Sequence, residues 1–196
     1  ALCLSSFSLV PQSSPLLAQN APATSMAAGP QAKHVVVIVM DGLRPDSINA
    51  EDTPTLYRLS QEGTNFSRHH PVYLSSTEVN GSALATGAYP SHNGVMANKE
   101  YRPGIELLQP IAIEDEKHVL KGDVNTHGKY LRLPTIAEIA QDAGKTTIVA
   151  GTKPVALLLQ RAPKADSSAA TIYQGKAQPQ SQQDMLARQE PAFPEV

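Results

Sequence analysis

The fold is decided by residues 34–42, which read HVVVIVMDG. Consecutive apolar residues, most of them β-branched, are typical of a strand that is buried on both faces in a parallel α/β sheet. Asp41 follows this predicted strand directly, and Gly42 and Pro45 then turn the backbone away. Because ligands bind at the carboxyl ends of strands in such sheets, Asp41 is a candidate functional residue. A carboxylate here can also simply cap the following turn, and the stretch alone leaves both interpretations open.

The composition excludes several classes of protein. With 196 residues, 41% hydrophobic and 17% charged, the chain has the size and balance of a globular protein with one core. The net charge is -2 and no long Lys/Arg block is present, so no nucleic-acid-binding surface is expected. Cys3 is the single cysteine and cannot form an internal disulfide.

The N-terminal segment has the pattern of a targeting signal. Residues 1–18 are predicted to be a partial signal peptide, because apolar residues are followed by small ones that suit a cleavage site. The apolar stretch is too short and too interrupted by serine to span a bilayer. Residues 19–32 are small and Pro-containing and are predicted to be a linker. We therefore expect export to the periplasm or the extracellular space; a disordered segment without targeting value is the alternative.

Residues 33–160 alternate between helix and strand signals. Helices are predicted over 52–63, 77–87 and 134–144, a clear strand over 145–151 and a weaker strand over 64–70. Residues 105–133 show no firm periodicity and are expected to form a hairpin or an insertion. Residues 161–196 are polar and are expected to be a loop or a truncated continuation of the domain. The repeated order of strand, helix and strand predicts a three-layer α/β/α sandwich.

The helix predicted near Thr77 offers a second candidate residue. A hydroxyl at a helix N-terminus stands where free amide groups and the helix dipole favour an anion such as a phosphoryl group. Ser75, Ser76 and Thr77 are also ordinary N-cap residues, and capping without chemistry is the simpler interpretation of these three residues taken alone.

Four segments together resemble one protein family. They are the strand ending at Asp41 with the TPTL helix behind it, Thr77-x-x-Asn80 followed by ATGAYP, the stretch GVMANKEYRP over 94–103, and the helix and strand over 134–151. In this order, over about residues 33–155, they resemble the type I phosphodiesterase/nucleotide pyrophosphatase family of the alkaline phosphatase superfamily.

The resemblance implies a fold, a reaction and a set of site residues. It implies an alkaline phosphatase-type sandwich that hydrolyses phosphodiester or pyrophosphate bonds of a small phosphorylated substrate, such as a nucleotide, with two zinc ions. By position, Asp41 and Thr77 would bind the same zinc ion, and Thr77 would be the nucleophile. Asn80 would donate to a phosphoryl oxygen. Ser76 is the alternative nucleophile, since a shift of one residue exchanges the two roles.

One departure from the family limits this expectation. The family completes its metal sites with further Asp and His residues, including an Asp-His pair, but this chain has no such pair and its last histidine is His127. Asp184 and Arg188 have the spacing of a ligand pair, yet arginine cannot bind zinc. Two ligands do not make a zinc site. We therefore expect the N-terminal part of a longer enzyme that is inactive as given, and zinc-dependent hydrolysis by these 196 residues would refute this.

Other functions remain open at this point. Within the superfamily they are a phosphomonoesterase, with Arg102 or Lys153 binding the second charge, a phosphonate hydrolase, or a sulfatase, although the Cys/Ser-x-Pro-x-Arg pattern of sulfatases is missing around Thr77. From a different class, the chain could be a secreted, non-catalytic binding protein with the same fold. Adjacent His69 and His70 are better explained by packing than by a metal site, because neighbouring residues of a strand point to opposite sides.

Overall fold

The structure is a computed structural model that describes residues 32–161 and 168–189. The chain divides into a first unit that ends at Met40 and a second unit that begins at Asp41. The predicted signal peptide and all but the last residue of the predicted linker lie outside the described residues.

The described residues of the first unit correct the main prediction from the sequence. Residues 32–40 form no strand, and the side chains of Val35 to Val39 are 63–81% exposed. The prediction of a buried strand is therefore wrong in this structure. An apolar run supplies side chains suited to burial, but a strand also needs a neighbour for its N–H and C=O groups, and that partner cannot be read from the run itself.

The second unit is a mixture of helices and short strands. Besides a 3-10 turn at Pro45–Ser47, the elements in chain order are α1 (Pro54–Glu62), α2 (Thr77–Thr86), α3 (Pro90–Asn93), β1 (Lys99–Glu100), β2 (Ile111–Ala112), α4 (Glu116–Thr126), α5 (Ile136–Asp142), β3 (Thr147–Gly151), α6 (Ala156–Leu159), β4 (Ala169–Tyr173), β5 (Lys176–Gln178) and α7 (Gln180–Gln189).

The strands form two small sheets. β1 and β2 pair antiparallel, and β3, β4 and β5 form a sheet in that order. β3 and β4 are parallel, with Thr147 opposite Ala169 and Gly151 opposite Tyr173, whereas β4 and β5 are antiparallel. The carboxyl ends of β3 and β4 therefore meet at one edge of the sheet. The structure confirms a mixed α/β fold, and the three-layer sandwich and the incomplete domain stay predictions.

The elements with clear start and stop signals agree with the sequence. Helices α1, α2 and α5 and strand β3 form where they were predicted. α2 ends at Gly87, which adopts the left-handed conformation with φ 63° that glycine tolerates best. α5 begins with a capping box, in which the side chains of Thr135 and Glu138 each bind the other residue's backbone N–H. α1 differs in one respect, because none of its residues is fully buried.

Two regions differ from their predictions, and a third, expected to be a hairpin or an insertion, contains a helix that the sequence did not predict. Residues 64–70 form no strand; the His69 N–H donates to the Phe66 carbonyl in a turn. Residues 105–133 contain helix α4, whose first turn is capped by the Asp115 carboxylate through the Lys117 N–H. Within 161–196, residues 168–189 form β4, β5 and α7, so the polar-loop alternative is wrong for that part.

The core fixes helix α2 and with it the residues at its N-terminus. The main cluster of buried apolar side chains comprises Val79, Val95, Ile105, Ile111, Ile113, Val119, Tyr130, Leu131 and Leu158. At its centre the Tyr130 hydroxyl donates to the Ile113 carbonyl at 2.7 Å, and the Arg102 guanidinium lies 4.7 Å from the Tyr130 ring centroid. No helix in the described part of the chain is long and apolar enough to cross a membrane.

Candidate active site

Helix α2 presents its first residue, Thr77, at a fixed place. Val79 is fully buried, and α6 packs against α2 at Gly81, where an added Cβ atom would lie in ordinary van der Waals contact with the Val155 side chain, at 3.4 Å. Because α2 is held by the core on one side and by α6 on another, its N-terminal turn has little freedom. Its free N–H groups and the positive end of its dipole favour a negatively charged ligand.

The Thr77 side chain contacts Asp41. Its hydroxyl donates to Oδ2 of Asp41 at 2.9 Å, although the two residues are 36 positions apart in the chain. Two ligands of one zinc ion need to lie within about 4 Å of each other, given metal–oxygen bonds near 2 Å. The two residues named from the sequence are therefore brought together at a distance that suits either a shared cation or a shared proton.

A lysine adds positive charge beside this pair. Lys153 follows β3 at the carboxyl edge of the sheet, and its Nζ lies 3.9 Å from the same Oδ2 of Asp41. Its side chain is 47% exposed, so the ammonium group remains accessible to a ligand. Arg102, the other cation considered from the sequence, is engaged by Glu100 and by the Gly94 carbonyl. Of these two cations, only Lys153 has a recorded contact with Asp41.

The Asn80 side chain faces the backbone rather than an open site. Its Oδ1 accepts from the Val72 N–H at 2.9 Å, and its Nδ2 donates to the carbonyls of Leu74 at 3.0 Å and Ser76 at 3.1 Å. A weaker contact joins Nδ2 to the Val72 carbonyl at 3.4 Å. The donation to a phosphoryl oxygen expected from the sequence would require Asn80 to release part of this network.

A second asparagine, Asn98, lies at the N-terminus of α2 and has an amide nitrogen that is not engaged by the backbone of the described residues. Oδ1 of Asn98 accepts from the Glu78 N–H at 3.3 Å, which places the Asn98 carboxamide at the N-terminus of α2. Within the described residues, its Nδ2 makes no hydrogen bond. Asn98 was not predicted as a site residue, although it lies in the 94–103 segment. The local sequence does not show that the residue before β1 lies next to the first turn of α2 in the fold.

The hydroxyl of Ser76, the alternative nucleophile proposed from the sequence, is not accessible to a substrate. Its Oγ is buried and has no hydrogen-bond partner, although Ser76 occupies the N-cap position of α2. A nucleophile must reach the phosphorus atom of a substrate, so this burial favours Thr77.

Glu78, in the first turn of α2, has a second carboxyl group beside it, that of Glu114. Glu78 is 3% exposed, and one carboxylate oxygen of each of Glu78 and Glu114 is buried without a hydrogen-bond partner. Burial raises the pKa of Glu78, and the adjacent Glu114 carboxyl raises it further, while a backbone hydrogen bond and Lys153 act in the opposite direction. The protonated form of Glu78 is therefore favoured in the folded chain.

The residues that are placed together do not complete a zinc site. Over residues 32–161 and 168–189, no group of three or more His, Cys, Asp or Glu side chains could hold a metal ion. Asp41 and Thr77 supply two ligands, and a protein zinc site has at least three. Among the histidines, His118 is turned toward the Ala112 carbonyl, 3.1 Å from its Nδ1.

Comparison with protein families gives an extended match. The family model described as type I phosphodiesterase/nucleotide pyrophosphatase matches residues 35–189. This range contains Asp41, Thr77, Asn98 and Lys153, and it extends beyond about residue 155, where the resemblance seen in the sequence ended.

Several curated proteins are similar over shorter segments. Venom phosphodiesterase 2 of Crotalus adamanteus is 31% identical over 87 residues, which is 43% of this chain and 11% of the relative. Bis(5'-adenosyl)-triphosphatase enpp4 of Mus musculus is 29% identical over 70 residues, 36% of this chain and 15% of the relative. Ectonucleotide pyrophosphatase/phosphodiesterase family member 5 of Homo sapiens is 27% identical over 88 residues, 45% and 18%. The matched segments thus span less than a fifth of these relatives, and no solved structure matches the chain.

Proposed function

The chain belongs to the type I phosphodiesterase/nucleotide pyrophosphatase family, and from this premise we propose that the protein hydrolyses phosphodiester or pyrophosphate bonds with Thr77 as its nucleophile. The substrate would be a small phosphorylated molecule such as a nucleotide. The observation that supports this best is the 2.9 Å hydrogen bond from the Thr77 hydroxyl to the Asp41 carboxylate at the N-terminus of α2.

The chemistry of this pair begins with a proton. A threonine hydroxyl is a weak nucleophile at neutral pH and needs an adjacent group that favours its alkoxide. Oδ2 of Asp41 already accepts the hydroxyl hydrogen, so it can take this proton as the Thr77 oxygen attacks phosphorus. The new O–P bond replaces the bond to the leaving group, which departs with its electron pair. Water then hydrolyses the phosphorylated threonine and restores the hydroxyl.

Three groups would stabilise the charge on the phosphoryl oxygens. The Nδ2 of Asn98, which has no hydrogen bond within the described part of the chain, and the Thr77 N–H in the first turn of α2 would be donors. The Lys153 ammonium group would supply a positive charge. Within the described residues, Nδ2 of Asn98 has no hydrogen bond to give up, whereas Asn80 would first have to leave its backbone partners. This difference favours Asn98 over Asn80 as the phosphoryl donor.

The metal is a separate part of the proposal. When bound, zinc would favour the alkoxide of Thr77 and offset the charge of the phosphoryl group. Asp41 and Thr77 are the two proposed ligands, and further ligands would have to join them. We therefore propose the activity for a protein that supplies these further ligands, called the intact protein below. The 196 residues alone are still predicted to be inactive.

A phosphomonoesterase is the second candidate. A monoester carries one more negative charge than a diester, and the half-exposed Lys153 ammonium group beside Asp41 offers a partner for it.

Export to the periplasm or the extracellular space, directed by residues 1–18, also remains a proposal.

The proposal is tested by hydrolysis of a chromogenic phosphodiester and of the corresponding monoester, with the intact protein in the presence of zinc. We expect Thr77→Ala to abolish release of the chromophore and Asp41→Asn to slow it about 10²–10⁴-fold, the range for loss of a positioned base. Thr86→Ala is the matched control, because Thr86 lies at the other end of α2 and its hydroxyl donates to the Ser82 carbonyl.

The controls separate the candidate functions. We expect Ser76→Ala to retain activity. If Ser76→Ala is inactive and Thr77→Ala is active, Ser76 is the nucleophile. Hydrolysis that survives both substitutions would refute the proposed mechanism. A higher kcat/KM for the monoester than for the diester would favour the phosphomonoesterase. Absence of hydrolysis of either ester by the zinc-loaded protein would refute both proposals.

A further inference from the structure

The segment that delivers Thr77 is tied down by one side chain. We define the approach loop as residues 72–76, which connect to the first residue of α2. The Asn80 carboxamide folds back over this loop and contacts it at Val72, Leu74 and Ser76, through both its oxygen and its nitrogen. One side chain thus contacts the beginning, the middle and the end of the loop.

Packing alone does not hold the middle of this loop. Val72 at the beginning packs against the main core cluster, and Ser76 at the end is the N-cap of α2. Between them, Tyr73 is 89% exposed, and Leu74 and Ser75 are also exposed. Inside the loop, the Ser76 N–H donates to the Leu74 carbonyl at 2.8 Å. Because exposed side chains contribute little packing, the hydrogen bonds from Asn80 are the main restraint on the loop's path.

We propose that Asn80 is a positioning residue, which fixes the approach loop and thereby holds the Thr77 hydroxyl against Asp41. The carboxamide is suited to this role, because it offers two N–H donors to backbone carbonyls and one acceptor to a backbone N–H. The consequence for catalysis rests on the proposed function, but the bracing of the loop does not. Asn80 then acts through Thr77 and need not touch the substrate.

Two substitutions remove the hydrogen bonds between Asn80 and the approach loop in different ways. Asn80→Asp keeps the acceptor for the Val72 N–H but replaces the donors with a carboxylate that faces three carbonyls. Asn80→Ala removes the contacts without adding charge, and alanine is a strong helix former, so this variant preserves α2. The matched control is Asn93, which is fully buried and binds the Ala88 carbonyl and the Val95 N–H in the same manner.

The first measurement is hydrogen–deuterium exchange of the approach loop in the chain itself, resolved to individual amides. We expect Asn80→Ala to accelerate exchange at Val72 and Ser76 by about tenfold or more, the effect of losing one or two net hydrogen bonds. Asn80→Asp, which keeps the acceptor for the Val72 N–H, should accelerate exchange at Ser76 but not at Val72. Asn93→Ala should leave the exchange of these two amides within about threefold of the wild type, after correction for any change in global stability.

The second measurement is the kinetics of the intact protein. We expect the Asn80 variants to lower kcat about tenfold or more while KM stays within about threefold, since misplacement of the nucleophile affects the chemical step rather than binding. Inorganic phosphate, which binds as a ground-state ligand without a bond to the nucleophile, should inhibit wild type and Asn80→Ala with similar affinity.

The outcomes distinguish positioning from phosphoryl binding. Unchanged loop exchange, or a loss of phosphate affinity in Asn80→Ala as large as that in Asn98→Ala, would overturn the proposal. If the wild-type protein hydrolyses neither ester, the proposed function fails, and the exchange result still decides whether Asn80 braces the loop.

Discussion

Replacement of Glu78 by glutamine should stabilise the protein at neutral pH. Glu78 is 3% exposed, and its buried Oε2 and that of Glu114 both lack a hydrogen-bond partner. The amide of Glu78→Gln has nearly the same shape and adds N–H donors for the Glu114 carboxylate. A buried polar group left unsatisfied costs about 1–3 kcal/mol, so the free energy of unfolding should rise by about that amount.

The gain should depend on pH in a defined direction. The pKa of Glu78 is raised above its ordinary value of 4.5 by burial and then by Glu114. The wild-type pair therefore contributes stability that is complete below about pH 4.5 and is lost as the pH rises through the folded-state pKa. The difference between Glu78→Gln and wild type should be small at pH 4.5 and largest at neutral pH.

Thermal unfolding of the chain in the presence of a chelator measures this effect. For a chain of this size, each kcal/mol corresponds to a shift in Tm of about 2–4 °C. Glu62→Gln is the control, because Glu62 is exposed and, among the described residues, pairs with Arg58 alone. The Tm of this variant should differ from that of the wild type by less than about 1 °C at each pH. A variant Glu78→Gln that is less stable than wild type at pH 7, or that gains equally at pH 4.5, would refute the reasoning.

Three further substitutions have defined consequences. Gly122→Ala should lower the free energy of unfolding by about 1–3 kcal/mol in thermal unfolding, because its Cβ would meet the buried Tyr130 ring, whereas Gly104→Ala, with open space around it, should not. Thr135→Ala should cost about 0.5–2 kcal/mol by removing the capping box of α5, with the exposed Thr146→Ala as control; an equal loss in both would contradict the role of the cap. Lys153→Gln should weaken inhibition of the intact protein by orthovanadate about tenfold or more, and unchanged inhibition would exclude Lys153 from the anion site.

The parts of the fold that could be predicted are those with local signals. α1 begins at Pro54 and ends before Gly63, α2 ends before Gly87, and α5 begins at the capping box of Thr135 and Glu138. The ends of these helices are therefore marked by residues that the local sequence shows. Strand β3 was predicted in the same way from its β-branched residues. These signals act between residues a few positions apart, and reasoning along the chain captures them.

The parts that could not be predicted depend on distant partners. The 35–39 run has the composition of a buried strand but forms none here, because strand formation is decided by a pairing partner. Helix α4 was missed because it is mostly polar and contains Gly122, whose small size matters only once Tyr130 packs against it.

The candidate site shows the same division. The proximity of Asp41 and Thr77 was expected from the resemblance, and their hydroxyl–carboxylate hydrogen bond agrees with that expectation, while their roles stay predictions. Asn98 was missed and Asn80 was given a donor role, because the sequence shows which asparagines are near Thr77 in the chain and not which carboxamide is already engaged.

The account depends most on Thr77 becoming covalently bound to phosphorus. The direct measurement is acid quenching of the zinc-loaded intact protein during turnover of a phosphodiester, followed by tryptic digestion and mass spectrometry of the peptide from His69 to Lys99. We expect a phosphoryl adduct on Thr77 that is absent in Thr77→Ala and strongly reduced in Asp41→Asn. Turnover with an adduct on Ser76, or with no adduct on this peptide at all, would contradict it.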